Sequence, residues 1–251
     1  MTGGSSGIGA AIARALSRRG WRCVLLARNR ERLERVAAEL NADFEQCDVS
    51  DRAQVEKVAR WVAETHPAVH LLVNNAGVSE RRPFLELPPE RIEEVIRINY
   101  LGGVWCTRAF LPLLEGGAPS DVVNVVSIAG VYSVGGSSGP YAASKHAQLA
   151  FSRGVAAELA PRGIRIHTVN PGPVRTEGFP QNRLQGTAFE RFVLEPDRVA
   201  ESILRAVERG KPESFVFGAY RLFGLLQAGI PGTLVRLTAR RARKKKKQPA
   251  T

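Results

Sequence analysis

A chain of 251 residues, 44% hydrophobic and 24% charged, suits one α/β domain with a small appendage and excludes a disordered or fibrous protein. Its net charge of +12 is concentrated at one end, where eight cations lie between Arg236 and Lys247 and no acid follows Glu213. Taking those eight away leaves the body at +4, which argues against a nucleic-acid-binding domain and leaves a basic appendage.

The first feature in chain order is a glycine-rich turn, Thr2-Gly3-Gly4-Ser5-Ser6-Gly7-Ile8-Gly9, opening a helix that runs to residue 19. Glycines there let the backbone approach a pyrophosphate, which then rests on the helix N-terminus. Residues 21–27 read as a buried strand, and 29–40 as a helix with Leu33, Val36, Ala37 and Leu40 at helical spacing. Residues 42–49 read as a strand, 52–64 as a helix and 69–73 as a strand. A long helix covers 90–114. Strand 121–126, helix 138–160, strand 164–169, helix 198–209 and strand 214–217 complete the series. Such alternation predicts parallel pairing through right-handed crossovers, hence an α/β doubly wound parallel sheet in one domain over 1–218. In that topology a central strand precedes the glycine turn, yet only Met1 stands before Thr2. A slot in the middle of the sheet is expected. Losing about six buried residues at ~1.5–3 kcal/mol each exceeds the stability of a typical domain, so a misplaced start is the expectation.

Three patterns carry chemistry. About 20 residues past the glycine turn, an NAD site carries an acid for the ribose hydroxyls. Ala27-Arg28 stands there instead, and a cation suits a 2′-phosphate, favouring NADP(H). Tyr141 and Lys145 share a helix face at i, i+4. One cation at ~4 Å in an effective dielectric of about 20 supplies ~4 kcal/mol, or roughly three pK units, toward acidifying a phenol. The third pattern, G-x-S-x-G at Gly3-x-Ser5-x-Gly7 and Gly135-x-Ser137-x-Gly139, fits a serine hydrolase only where a strand precedes and a helix follows. Neither copy meets that condition in the sequence.

Together these motifs resemble the short-chain dehydrogenase/reductase family over roughly residues 2–217. The turn resembles TGxxxGxG, Asp48-Val49 the acidic pair beside adenine, and Asn74-Asn75-Ala76-Gly77 the NNAG segment. Asn99 resembles the asparagine of a proton relay, Ser127 the catalytic serine, and Tyr141–Lys145 the YxxxK pair. Pro171-Gly172-Pro173-Val174-Arg175-Thr176 resembles PGxVxT beside the nicotinamide. The resemblance implies a Rossmann fold and NADP(H)-dependent interconversion of a ketone or aldehyde with an alcohol. It assigns catalysis to Ser127, Tyr141, Lys145 and Asn99. It assigns cofactor contacts to Gly3, Ser5, Ser6, Gly7, Ile8, Gly9, Arg28, Asp48, Val49, Asn75, Ala76, Gly77, Tyr141, Lys145, Pro171, Gly172, Val174 and Thr176. A homo-oligomer is implied as well. Without the first strand, a silent nucleotide- or lipid-binding protein is the alternative.

Phe179, Phe189 and Phe192 fall in a stretch that would cover the substrate, and they suggest a lipophilic one. Residues 219–251 form an apolar segment followed by the basic run. Only 14 uncharged residues separate Arg221 from Arg236, too few to span a bilayer. Attachment to an anionic membrane surface, a substrate- or dimer-contacting segment with a solvated tail, and nonspecific nucleic-acid contact all fit. Cys23, Cys47 and Cys106 are scattered and, with His66, His70, His146 and His167, match no disulfide or metal spacing. With no secretory signal in view, a reduced cytoplasmic setting with peripheral membrane contact is expected.

Overall fold

The computed structural model describes residues 1–133, 139–177 and 193–247. Helix α1 (Gly7–Ser17) follows the glycine turn and carries Ala10, Ala11, Ala13 and Ala15, small residues that let it lie close against the sheet. Strand β1 (Val24–Ala27) leads to α2 (Arg30–Leu40), whose N-terminus is capped by Asn29 accepting the Arg32 amide. Strand β2 (Asp43–Gln46), α3 (Arg52–Thr65, capped by Asp51) and β3 (Leu71–Asn74) follow. Beyond them come β4 (Ser120–Val125), α7 (Gly139–Leu159), β5 (Ile164–Asn170), α8 (Pro196–Glu208) and β6 (Glu213–Phe215).

The expected helix over 90–114 is broken. It consists of α4 (Pro89–Ile96), a π-helical turn (Arg97–Leu101), α5 (Gly102–Ala109) and α6 (Leu111–Gly116). Pro112 has no amide to continue the ladder and is tolerated only in a first turn, so the chain restarts at Leu111. Ser138 and the second G-x-S-x-G lie outside the described residues, as do Phe179, Phe189 and Phe192.

Every strand pair is parallel, in two sheets of order β1-β2 and β3-β4-β5-β6. Between them stand Met1 and Thr2. The Met1 carbonyl accepts the Leu26 amide at 2.9 Å, its amine donates to the Val24 carbonyl at 2.7 Å, and the Thr2 amide donates to the Val73 carbonyl at 2.9 Å. Met1 and Thr2 thus link β1 to β3 by backbone hydrogen bonds. Alternating strand residues serve two cores. Leu25, Val73, Val123 and Val169 pack under α1, α2 and α8, while Leu26, Leu72, Val122 and Ile166 pack against α3, α5 and α6. The fold is a doubly wound, Rossmann-like single domain.

The C-terminal segment is helical. α9 (Tyr220–Gly229) and α10 (Pro231–Lys247) meet at Ile230. No single described helix is long and apolar enough to cross a membrane; the two together are bent by 99°.

Candidate active site

The carboxyl ends of the parallel strands converge on one cleft of about 330 Å³. Its lining includes Gly3, Ser5, Ser6, Gly7, Ile8, Arg28, Asp48, Val49, Asn75, Ala76, Gly77 and Thr176, twelve of the candidate cofactor residues. The glycines are there for geometry. Gly3 and Gly7 hold φ of +66° and +53°, and a Cβ on Gly9 would lie 2.0 Å from the Gly3 carbonyl oxygen. Ser6 precedes α1 without a side-chain cap, which leaves first-turn amides available to an anion. A Cβ on Gly7 would touch Thr176 at 3.1 Å, so the segment after β5 closes one side. Ser5 of the first G-x-S-x-G lies in this lining with no histidine among the lining residues.

Thr2 locks the turn to the segment after β3, a role that motif matching did not assign to it. Its Oγ1 accepts the Asn75 and Ala76 amides at 3.0 Å each, and Asn75 Nδ2 donates to the Thr2 and Gly3 carbonyls. Arg28 stands at the β1 end with its carbonyl held by Gln46 Nε2 at 2.8 Å. Its guanidinium is 54% exposed and 3.8 Å from Glu94. Arg32, one turn into α2, pairs with Glu177 across the cleft mouth.

Ser127, Tyr141, Lys145 and Asn99 gather beside this cleft but do not form its lining. Ser127 and Tyr141 share a hydrogen bond, and Ser127 Oγ also accepts the Ala129 amide at 3.1 Å. Burial pushes the Tyr141 phenol above its ordinary value, opposed by the Ser127 hydrogen bond and the nearby Arg81 charge. The expected acidification by Lys145 is not what this arrangement gives. Lys145 Nζ is turned to the Val125 carbonyl at 3.1 Å and to Gln148 Oε1 at 3.0 Å, and burial pulls its own value down to about 7. Burial without a carboxylate partner disfavours the charged form of the ammonium, and its hydrogen bonds go to Val125 and Gln148.

Asn99 is held by its side chain on both sides. Its Oδ1 accepts the Val78 amide at 2.8 Å, while Nδ2 donates to the Val78 carbonyl and to Ser144 Oγ, both at 3.0 Å. Ser144 in turn donates to the Tyr141 carbonyl at 2.7 Å. The side chain therefore fixes the loop after β3 to α7. Gly77 makes room for this meeting, since its Cβ would lie 3.2 Å from Asn99 Oδ1 and 3.7 Å from Lys145 Nζ.

The segment after β5 completes the site. The Pro171 carbonyl accepts the Ile128 amide at 2.9 Å, next to Ser127. Val174 forms a parallel bridge with Leu194, pinning both ends of the stretch between them. A Cβ on Gly172 would collide with the Tyr220 ring at 2.4 Å, so α9 rests directly on this segment. Tyr132 and Phe223 (ring centroids 5.3 Å apart) and Tyr220 build an aromatic wall there. Gln148, Ser144 and Tyr220 have no role assigned from the sequence, and Thr2 enters only as the first letter of TGxxxGxG.

The "short chain dehydrogenase" family model matches residues 1–185. A 1-deoxy-11-beta-hydroxypentalenate dehydrogenase of Streptomyces exfoliatus is 36% identical over 184 residues, 70% of this chain and 66% of that one. Dehydrogenase/reductase SDR family member 7B of Bos taurus is 31% identical over an alignment covering 98% of this chain and 82% of that one. Among solved structures, an alcohol dehydrogenase from the archaeon Thermococcus sibiricus, complexed with 5-hydroxy-NADP, superposes with a TM-score of 0.76 at 31% identity, covering 88% of this chain and 95% of that one. A short chain dehydrogenase from Burkholderia cenocepacia in complex with NADP gives 0.79 at 27% identity, covering 88% and 96%. The matched span runs from the glycine turn through α7 and β5, and the chain belongs to the short chain dehydrogenase family of oxidoreductases.

Proposed function

We propose that this protein is an NADP(H)-dependent oxidoreductase that interconverts a ketone or aldehyde and an alcohol on a lipophilic substrate. The observation that carries this reading is the hydrogen-bonded Ser127–Tyr141 pair beside a cleft of dinucleotide-binding form. The glycine turn and the open amides of α1 would hold the pyrophosphate, with Asp48 and Val49 beside the adenine. Arg28 would take the 2′-phosphate, exchanging its long contact with Glu94 for a charge-assisted one. Two structural relatives, solved in complex with NADP or 5-hydroxy-NADP, support that choice over NAD. Asn75, Ala76 and Gly77 would wall the cleft on one side. Pro171, Gly172, Val174 and Thr176 would do so near the nicotinamide.

When bound, NADPH supplies a hydride. Ser127 donates a hydrogen bond to the substrate carbonyl oxygen, where negative charge grows. Tyr141 gives that oxygen its proton, and in the reverse direction takes it back. A phenol held above its ordinary value stands protonated at neutral pH, the state that reduction needs. Lys145 would hold the nicotinamide ribose, and Asn99 keeps the loop and α7 in register for both. The aromatic wall of Tyr132, Tyr220 and Phe223 supports a lipophilic substrate.

A panel of ketones and aldehydes of rising hydrophobicity, read by NADPH absorbance, tests the reading. Tyr141→Phe is expected to cut turnover by about a thousandfold, within the range for losing a general acid, while NADPH still binds. Near-normal turnover in that variant sinks the proposal.

A further inference from the structure

α9 presents apolar residues on two opposite faces, which a helix packed on one side only does not need. One face rests on the domain, with Tyr220 buried and Gly224 against Val131. The other carries Leu222, Leu225 and Leu226, exposed by 60, 68 and 47%. Their i, i+3, i+4 spacing places them on one outward stripe. Seven of the eleven exposed large hydrophobic residues among those described fall between Leu222 and Leu237, so the exposure belongs to this segment and is not spread over the surface.

The same segment holds a matching charge pattern. After the 99° bend, α10 places Arg236, Arg240 and Arg243 at i, i+4 and i+7, with Lys244–Lys247 following. Leu234, Val235 and Thr238 lie on the other side of the helix by the same periodicity. A second copy of this chain would bring eight cations against eight with no acid after Glu213, which disfavours self-association here. Nucleic acid would satisfy the cations and leave the leucine stripe in water. A phospholipid surface satisfies both, with acyl chains for the leucines and anionic headgroups for the cations.

We propose that α9 and α10 dock the protein on an anionic bilayer, the leucine stripe of α9 entering the headgroup–acyl boundary and the cations of α10 meeting the lipid charges. Neither helix alone is long and apolar enough to cross, and the 99° bend between them suits a segment lying along the surface. Because the inner face of α9 forms part of the aromatic wall, docking brings that wall to the lipid; this consequence, unlike the docking, rests on the oxidoreductase reading of the cleft. A lipophilic alcohol or ketone dissolved in the bilayer is then the substrate class that fits.

The test is flotation of the full chain with vesicles of phosphatidylcholine, alone or with roughly a third phosphatidylserine. Binding is expected only with the anionic lipid and is expected to fall more than about tenfold in high salt. Leu225→Glu with Leu226→Glu, and separately Arg236, Arg240 and Arg243→Gln, are each expected to lower it at least about tenfold. Absence of flotation with anionic vesicles overturns the proposal. So does a leucine variant that floats as well as the parent, or a chain that stays off vesicles and forms dimers that the leucine variant dissociates. Flotation needs no substrate, so a chain that floats but reduces no carbonyl upholds the docking and overturns only the reading of the cleft.

Discussion

Tyr141 and Lys145 occupy adjacent turns of α7, yet burial moves them in opposite directions, the phenol up and the ammonium down to about 7. The lysine makes a stability prediction with a definite sign. Between about 7 and its ordinary 10.5, the unfolded chain holds a proton that the folded chain has released, so this group makes stability rise with pH across that window. Below it the full cost of the buried charge is present. Lys145→Met is therefore expected to melt several degrees above the parent at acid pH, with the gap narrowing toward alkaline pH; a gap independent of pH in thermal melts would falsify the assignment. Arg28 makes a second prediction. Arg28→Glu is expected to lower NADPH affinity relative to NADH by roughly ten- to hundredfold, the worth of a hydrogen bond to a charged group, as read by fluorescence titration. Residues of this kind were legible because spacing alone exposes them: a tyrosine and a lysine one turn apart, a cation where an acid is otherwise found. Gln148 was not legible. It accepts a hydrogen bond from Lys145 Nζ, which also reaches the Val125 carbonyl of β4, and that pairing appears only in the folded chain.

The helix read as continuous over 90–114 is the clearest case of a pattern that conceals a break. Apolar periodicity persists across the π-helical turn, since Val95, Ile98 and Cys106 all face inward, and nothing local marks the extra residue. What the turn achieves is tertiary: it sets buried Asn99 where its amide reaches Val78 and Ser144. Asn99→Ala strips partners from a backbone amide, a backbone carbonyl and a hydroxyl. It is expected to cost about 2–4 kcal/mol in denaturant unfolding and to lower turnover, because Ser144 holds the Tyr141 carbonyl. A loss below about 0.5 kcal/mol, the scatter of ordinary surface substitutions, counts against the staple. The other elements up to β6 were readable to within a few residues, because strands and helices buried on the two cores keep their own periods, and caps such as Asn29 and Asp51 mark their starts; α9 and α10, interrupted by glycines and proline, were not read as helices.

For the whole molecule, alternation of strands and helices was enough to expect a parallel, doubly wound sheet. The sequence did not reveal how α9 turns back onto Gly172, because a tyrosine fitting where a glycine leaves space is a contact between distant segments. Met1 and Thr2 carry backbone hydrogen bonds that join β1 to β3, and the core beneath α1 covers the same seam. That seam gives the dinucleotide a mechanical task besides its chemistry. Arg28 and Asp48 stand on one bank and Asn75, Ala76 and Gly77 on the other, so a ligand gripping both works as a suture across the joint. Nucleotide supply would then set how long the enzyme survives as well as how fast it turns over, with melting temperature climbing as the coenzyme concentration rises.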